Sequence, residues 1–168
     1  MIAAKSYLGK KVAVMGLARS GQSAAEALKA GGAEVIAWDD DVKKCRESAL
    51  LGINISDLTK EDFTNIDALI LSPGIPHSYP KPHVVAKKAK KANTPIIGDI
   101  EIFVKNFVEP RIIGITGTNG KSTTTALVGH ILRSAGLPVE IGGNIGLPVL
   151  GFENTLGAGY QVLELSSY

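Results

Sequence analysis

The stretch Gly114-Ile115-Thr116-Gly117-Thr118-Asn119-Gly120-Lys121-Ser122-Thr123 decides how this chain is read. It follows the apolar run Arg111-Ile112-Ile113, which reads as a short buried strand. It precedes a helical pattern in which Thr124, Leu127, Val128, Ile131, Leu132 and Ala135 share one face. Strand, glycine-rich turn, Lys-Ser and helix make up the sequence of a phosphate-binding loop. Glycines let several backbone N–H groups converge on an anion, and the helix N-terminus adds its positive end. In such a loop Lys121 neutralises the β/γ-phosphates and the Ser122 hydroxyl holds Mg²⁺, so ATP or a relative is the expected ligand. The general pattern G-x-x-x-x-G-K-[ST] puts its first glycine at position 115, which is Ile115 here, with glycines at 114 and 117. The competing reading is a plain glycine-rich turn with an incidental lysine.

Upstream, strand-like and helix-like patterns alternate. Lys11–Met15, Glu34–Trp38, Ala68–Leu71 and Pro95–Ile97 read as strands, and a helix over about 21–30 is closed by Gly31-Gly32. This alternation predicts a parallel sheet with helices on both faces. A second unit is expected from Asp99, with a short helix to Phe107, a break at Glu109-Pro110, and strands at 111–113, 138–141 and 160–165. The expected fold is α/β: a Rossmann-like parallel-sheet domain over residues 1–98, then the truncated start of a P-loop ATPase α/β domain over 99–168. Three strands are fewer than the roughly five of an ordinary P-loop sheet, so the chain is expected to be a fragment. Its unfinished sheet should leave 111–168 less protected from exchange than 11–97.

Composition narrows the class. Of 168 residues, 45% are hydrophobic and 20% charged, as in a globular protein. A net charge of +2 is too small to argue for nucleic acid or membrane. Neither a signal peptide nor a run of about 18 apolar residues is visible, and the single Cys45 cannot form an internal disulfide, so a cytoplasmic protein is expected. Lys87, Lys88, Lys90 and Lys91 read as a solvated helix face opposite Val85, Ala89 and Ala92.

A second glycine-rich turn, Gly16-Leu17-Ala18-Arg19-Ser20-Gly21, follows the first strand and opens a helix. It approximates G-x-G-x-x-G with Ala18 in the second slot, and Asp39 ends the next strand about 20 residues on. An NAD site and a site for another diphosphate, such as a UDP-sugar, both remain open on these residues. In the latter, Asp39 or Asp40 would accept the uracil N3–H. Ser72-Pro73-Gly74 ends the third strand on the same sheet edge, where Ser72 is expected to touch a phosphate.

Taken together, these segments resemble the Mur ligases. The phosphate loop, with its offset from the general pattern, is similar to theirs, as are Gly142-Gly143-Asn144-Ile145-Gly146 and Leu163-Glu164-Leu165-Ser166-Ser167. Ser72-Pro73-Gly74-Ile75 and Gly98-Asp99-Ile100-Glu101 resemble the D-glutamate-adding members. The resemblance covers the whole chain in order. It implies a cytoplasmic, ATP- and Mg²⁺-dependent amide ligase of peptidoglycan synthesis, which joins UDP-N-acetylmuramoyl-L-alanine to D-glutamate through an acyl phosphate. The D-glutamate-selecting domain would lie outside this chain, so the fragment alone is expected to bind the UDP substrate without turnover. By resemblance Lys121, Asn144 and Glu164 are catalytic, and Gly117, Thr118, Asn119, Gly120, Lys121, Ser122 and Thr123 bind ATP. Gly16, Arg19, Ser20, Asp39, Asp40, Ser72, Pro73, Gly74 and Asn144 meet the UDP substrate, with Arg19 at the diphosphate either bonding it or pointing to solvent, and Ser122 and Glu164 hold magnesium. A monomer is expected, with no nucleic-acid or membrane partner.

Overall fold

The computed structural model describes residues 2–106, 111–152 and 159–166. The expected break at Glu109-Pro110, Phe107, and the last two residues, Ser167 and Tyr168, lie outside the described residues. Five strands form one parallel sheet: β1 (Lys11–Met15), β2 (Glu34–Trp38), β3 (Asn54–Ile55), β4 (Ala68–Leu71) and β5 (Ile96–Ile97), in the order β3-β2-β1-β4-β5. Helices α1 (Arg19–Ala30), α2 (Val42–Leu50) and α3 (Val84–Lys91) connect them.

Burial on both faces explains the unbroken apolar run of β1. Val12 and Val14 point into a core shared with α1, while Ala13 and Met15 point into a second core with Phe63, Leu69, Val85 and Ala89. The chain order reverses between β1 and β4, the place where open parallel sheets take ligands at their strand carboxyl ends.

Helix α4 (Asp99–Asn106) leads to a second parallel sheet of β6 (Arg111–Ile115), β7 (Val139–Gly143) and β8 (Tyr160–Glu164), ordered β6-β8-β7, with α5 (Lys121–Ser134) packed on it. The two sheets share one core. Val149, Leu150, Phe152 and Leu163 are fully buried in the same cluster as Val12, Leu28 and Ile102. The 3-10 turn Val149–Gly151 packs on α1 and α4, and Phe152 meets Phe103 edge to face with ring centres 5.8 Å apart.

One expectation about burial changes here, and α5 shows which of its sides packs. Ile112 and Ile113 are half-buried rather than buried, because among the described residues β6 is an edge strand paired only with β8. Leu127 and Ile131 of α5 are more than half exposed, at 55% and 56%. The side of α5 that meets the sheet carries Thr125 and Gly129 instead. A Cβ on Gly129 would come within 2.2 Å of the Ile141 side chain, so a glycine is what lets this helix lie so close to β7.

Candidate functional site

The first glycine-rich turn is closed by its own side chains. Gly16 adopts φ +91°, where a side chain would strain the backbone, and its N–H donates to the Trp38 carbonyl at 2.8 Å. Asp39 is buried, and its carboxylate accepts the N–H groups of Leu17 at 2.7 Å and Asp41 at 2.8 Å, with Lys44 Nζ at 3.5 Å. Burial is the largest single influence on Asp39 and opposes its ionisation. The two N–H donors and Lys44 outweigh it and hold the carboxyl below its usual range.

Ser72 is buried at the switch point, and its hydroxyl donates to the Gly16 carbonyl at 2.8 Å. Its proton therefore points at the turn, and only its lone pairs are left for a phosphate. Pro73 and Gly74 are exposed beside it. Asp40 is exposed and pairs with His83, Nε2 to Oδ2 at 3.1 Å. Arg19 follows neither expected course: its guanidinium donates to the Gly146 carbonyl, linking the start of α1 to the second sheet. Ser20 faces Asp99, a residue that motif reading noted without assigning it to a site. Asp99 is buried at the start of α4. Burial, its largest influence, raises its pKa above the ordinary 3.8, against the pull of the Ile100 N–H and Ser20.

The second turn is open. Gly117 (φ +145°) and Gly120 (φ +75°) bend the chain between β6 and α5, and a Cβ on Gly120 would meet nothing within 4 Å. Thr118, Asn119, Ser122 and Thr123 are exposed around it. Lys121 is half-buried, and its ammonium donates to the Gly117 carbonyl at 2.7 Å, inside the curve of the loop. Helix α5 runs on for 14 residues behind the turn, so its first N–H groups and positive end face the loop.

Glu164 ends β8 in register with Ile115, the last residue of the strand that enters this loop. It is 6% exposed, and its Oε2 has no hydrogen-bond partner among the described residues. A buried carboxylate oxygen without a donor is costly, and a cation relieves it. The donor set fits Mg²⁺, which takes hard oxygen ligands and is usually held by one or two carboxylates together with phosphates. Asn144 is exposed on the neighbouring loop, its N–H donating to the Glu164 carbonyl at 3.0 Å. A Cβ on Gly143 would lie 2.3 Å from that same carbonyl, so the 143–144 backbone packs directly on the end of β8.

A cleft of about 790 Å³ lies between the sheets' carboxyl ends, lined by Leu71–Pro80, Ile96–Asp99, Glu101 and Ser166. It takes in Ser72, Pro73 and Gly74 but not Gly16, Arg19, Ser20, Asp39 or Asp40. The expected crevice is therefore displaced toward β4, β5 and the second sheet. The segment that builds its wall holds no regular structure, which is why sequence periodicity did not disclose it.

These features define an α/β protein of two parallel sheets, each opening on a glycine-rich strand-to-helix turn. The model of the Mur ligase middle domain matches residues 115–168. The UDP-N-acetylmuramoylalanine--D-glutamate ligase of Caulobacter sp. (strain K31) is 49% identical over the whole of this chain, and that of Phenylobacterium zucineum (strain HLK1) is 48% identical. The chain spans 37% of the length of each. Among solved structures, the UDP-N-acetylmuramate:L-alanyl-gamma-D-glutamyl-meso-diaminopimelate ligase from Neisseria meningitides matches 94% of the chain and 52% of its own, with TM-score 0.51 and 19% identity. Residues 115–168 thus match the Mur ligase middle domain, and the chain as a whole is similar to ligases of that family.

Proposed function

We propose that this chain is the nucleotide- and UDP-substrate-binding part of an ATP-dependent ligase that adds D-glutamate to UDP-N-acetylmuramoyl-L-alanine in the cytoplasm. The name borne by the relatives at 48–49% identity supports the reaction. One observation in the molecule carries the chemistry: the buried Oε2 of Glu164, without a partner among the described residues, beside the strand that enters the Lys121 loop.

In this reading residues 1–98 hold the UDP moiety, and residues 99–168 begin the ATP-binding part. Gly117–Thr123 cradle the nucleotide phosphates with backbone N–H groups, and Lys121 exchanges its Gly117 contact for phosphate oxygens. Ser122 and Glu164 hold Mg²⁺, which when bound neutralises the charge of the phosphates. Asn144 faces the phosphates and the acceptor. A bare carboxylate resists attack by an amine, so its phosphorylation by ATP, with ADP leaving, precedes attack by D-glutamate and loss of phosphate. The protein's share of that first step is positioning and charge stabilisation. The cleft between the sheets takes the acceptor, with Ser72–Gly74 on its wall.

Calorimetric titration of this chain with UDP-N-acetylmuramoyl-L-alanine, then with an ATP analogue and Mg²⁺, tests the reading. Both should bind, and Lys121→Ala should lose the analogue while keeping the UDP compound. A folded chain that binds neither would remove the proposal.

A further inference from the structure

The wall of the cleft is a long irregular segment. The chain leaves β4 at Leu71 and re-enters regular structure only at Val84. Pro76, His77, Ser78, Tyr79 and Pro80 of this segment all line the cleft. Ile75 packs on the second core, and its N–H donates to the Ser72 carbonyl at 3.2 Å. Further along, the His83 N–H donates to the Pro76 carbonyl at 2.9 Å, and Lys90 Nζ reaches the His77 carbonyl at 2.7 Å.

The His83 ring ties the end of the segment to β2, and its chemistry is determined by its two neighbours. Nδ1 accepts the Val85 N–H at 3.3 Å, capping α3. A nitrogen that accepts carries no proton, so in the neutral ring the single proton sits on Nε2. Nε2 lies 3.1 Å from Asp40 Oδ2 and donates to it. The cap alone does not call for histidine, since Ser, Thr, Asp and Asn are the favoured N-cap residues. What imidazole adds is reach: one ring caps the helix and also grips the carboxyl end of β2.

We infer that His83, as its Nε2–H tautomer, is a positioning residue that holds the 76–83 segment of the cleft wall against Asp40. This rests on the reading of the cleft as the UDP-substrate site. With the link in place the wall is ordered before the ligand arrives; without it, part of the binding energy goes into ordering the segment.

The test uses His83→Asn, which keeps a good N-cap but is too short to reach Asp40. The wild-type chain and the variant are titrated with UDP-N-acetylmuramoyl-L-alanine and, separately, with an ATP analogue and Mg²⁺. The UDP compound should bind the variant about three- to tenfold more weakly, the range for one hydrogen bond to a partly exposed charged group. Affinity for the analogue should be unchanged. Equal affinity of both proteins for the UDP compound overturns the inference alone. An equal loss for both ligands overturns it too, by showing general damage. No binding of the UDP compound by the wild type removes the reading of the cleft and the inference with it. Nitrogen-detected NMR of the wild type should show a bare Nδ1 and a protonated Nε2; the reverse tautomer overturns the proposed grip on Asp40.

Discussion

Two buried aspartates at the candidate site respond to pH in opposite senses. Asp39 is held below its ordinary 3.8 because the Leu17 and Asp41 N–H groups and Lys44 outweigh the burial that works against its charge. A depressed folded-state pKa means that the ionised group stabilises the fold above about pH 4, and that this contribution is lost as pH falls through the folded value. Asp39→Asn should therefore destabilise the chain at pH 7 by about 1–3 kcal/mol, since an amide cannot accept both N–H donors as the carboxylate does. In denaturant titrations the gap should narrow as the pH falls below 3.8. A gap independent of pH would assign it to packing. Asp99 behaves inversely: its folded pKa is raised by burial, so stability declines as pH rises from 3.8 through the folded value. Such a cost at a cleft-lining carboxyl is what functional sites tend to carry. Of the candidate residues, Lys121 was singled out by residue type and spacing and Glu164 by the resemblance, and both roles stay proposals. The contact of Arg19 was not legible: its partner, the Gly146 carbonyl, lies 127 positions away in the chain.

Among the elements, the approach of α1 to β1 is the tightest point. A Cβ on Gly21 would lie 1.8 Å from the Gly16 carbonyl oxygen and 2.3 Å from Ser72 Oγ. Main chain cannot yield as a flexible side chain can. Gly21→Ala should therefore push α1 outward and cost about 2–3 kcal/mol or more, and it should weaken the UDP compound in the same titration. A melting temperature within about 2 °C of wild type would contradict this close approach. The β1, β2 and β4 spans follow from their apolar runs, which match the described strands residue for residue. Helix α2 and the two-residue strand β3 went unread, because neither carries a long periodic pattern. The apolar stripe read on α5 is not its buried side, since Leu127 and Ile131 are more than half exposed. Periodicity identifies an amphipathic face, but Gly129 and Thr125, with little or no apolar bulk, mark the side that packs closest.

Across the whole molecule, the chain's two sheets behave as one folding problem. Val162 and Leu163 of β8 and Phe152 are fully buried, and the Ile2 N–H donates to the Leu150 carbonyl at 3.1 Å. Protection from hydrogen exchange should therefore divide by depth, not at Arg111. The amides of β8 should be protected like those of β1, while α5, with Leu127 and Ile131 exposed, exchanges faster. Phe152→Ala removes a ring packed on Phe103 in the shared core and should cost about 3–5 kcal/mol. Exchange in β1 and β8 should rise together in this variant. A rise confined to residues 111–166 would mean two independently stable units.

From its sequence alone, the chain declared a parallel α/β fold, two glycine-rich strand-to-helix turns and its resemblance to the Mur ligases. Those properties live in local signals: unbroken apolar runs, glycines at strand ends, and Lys-Ser at a helix start. Only the tertiary structure decided that the sheets share a core, that the cleft sits between β4, β5 and Ser166, and that Arg19 and His83 tie distant segments together. Each of those depends on which surfaces meet after the strands have paired. Contacts between residues far apart in the chain leave no periodicity in it.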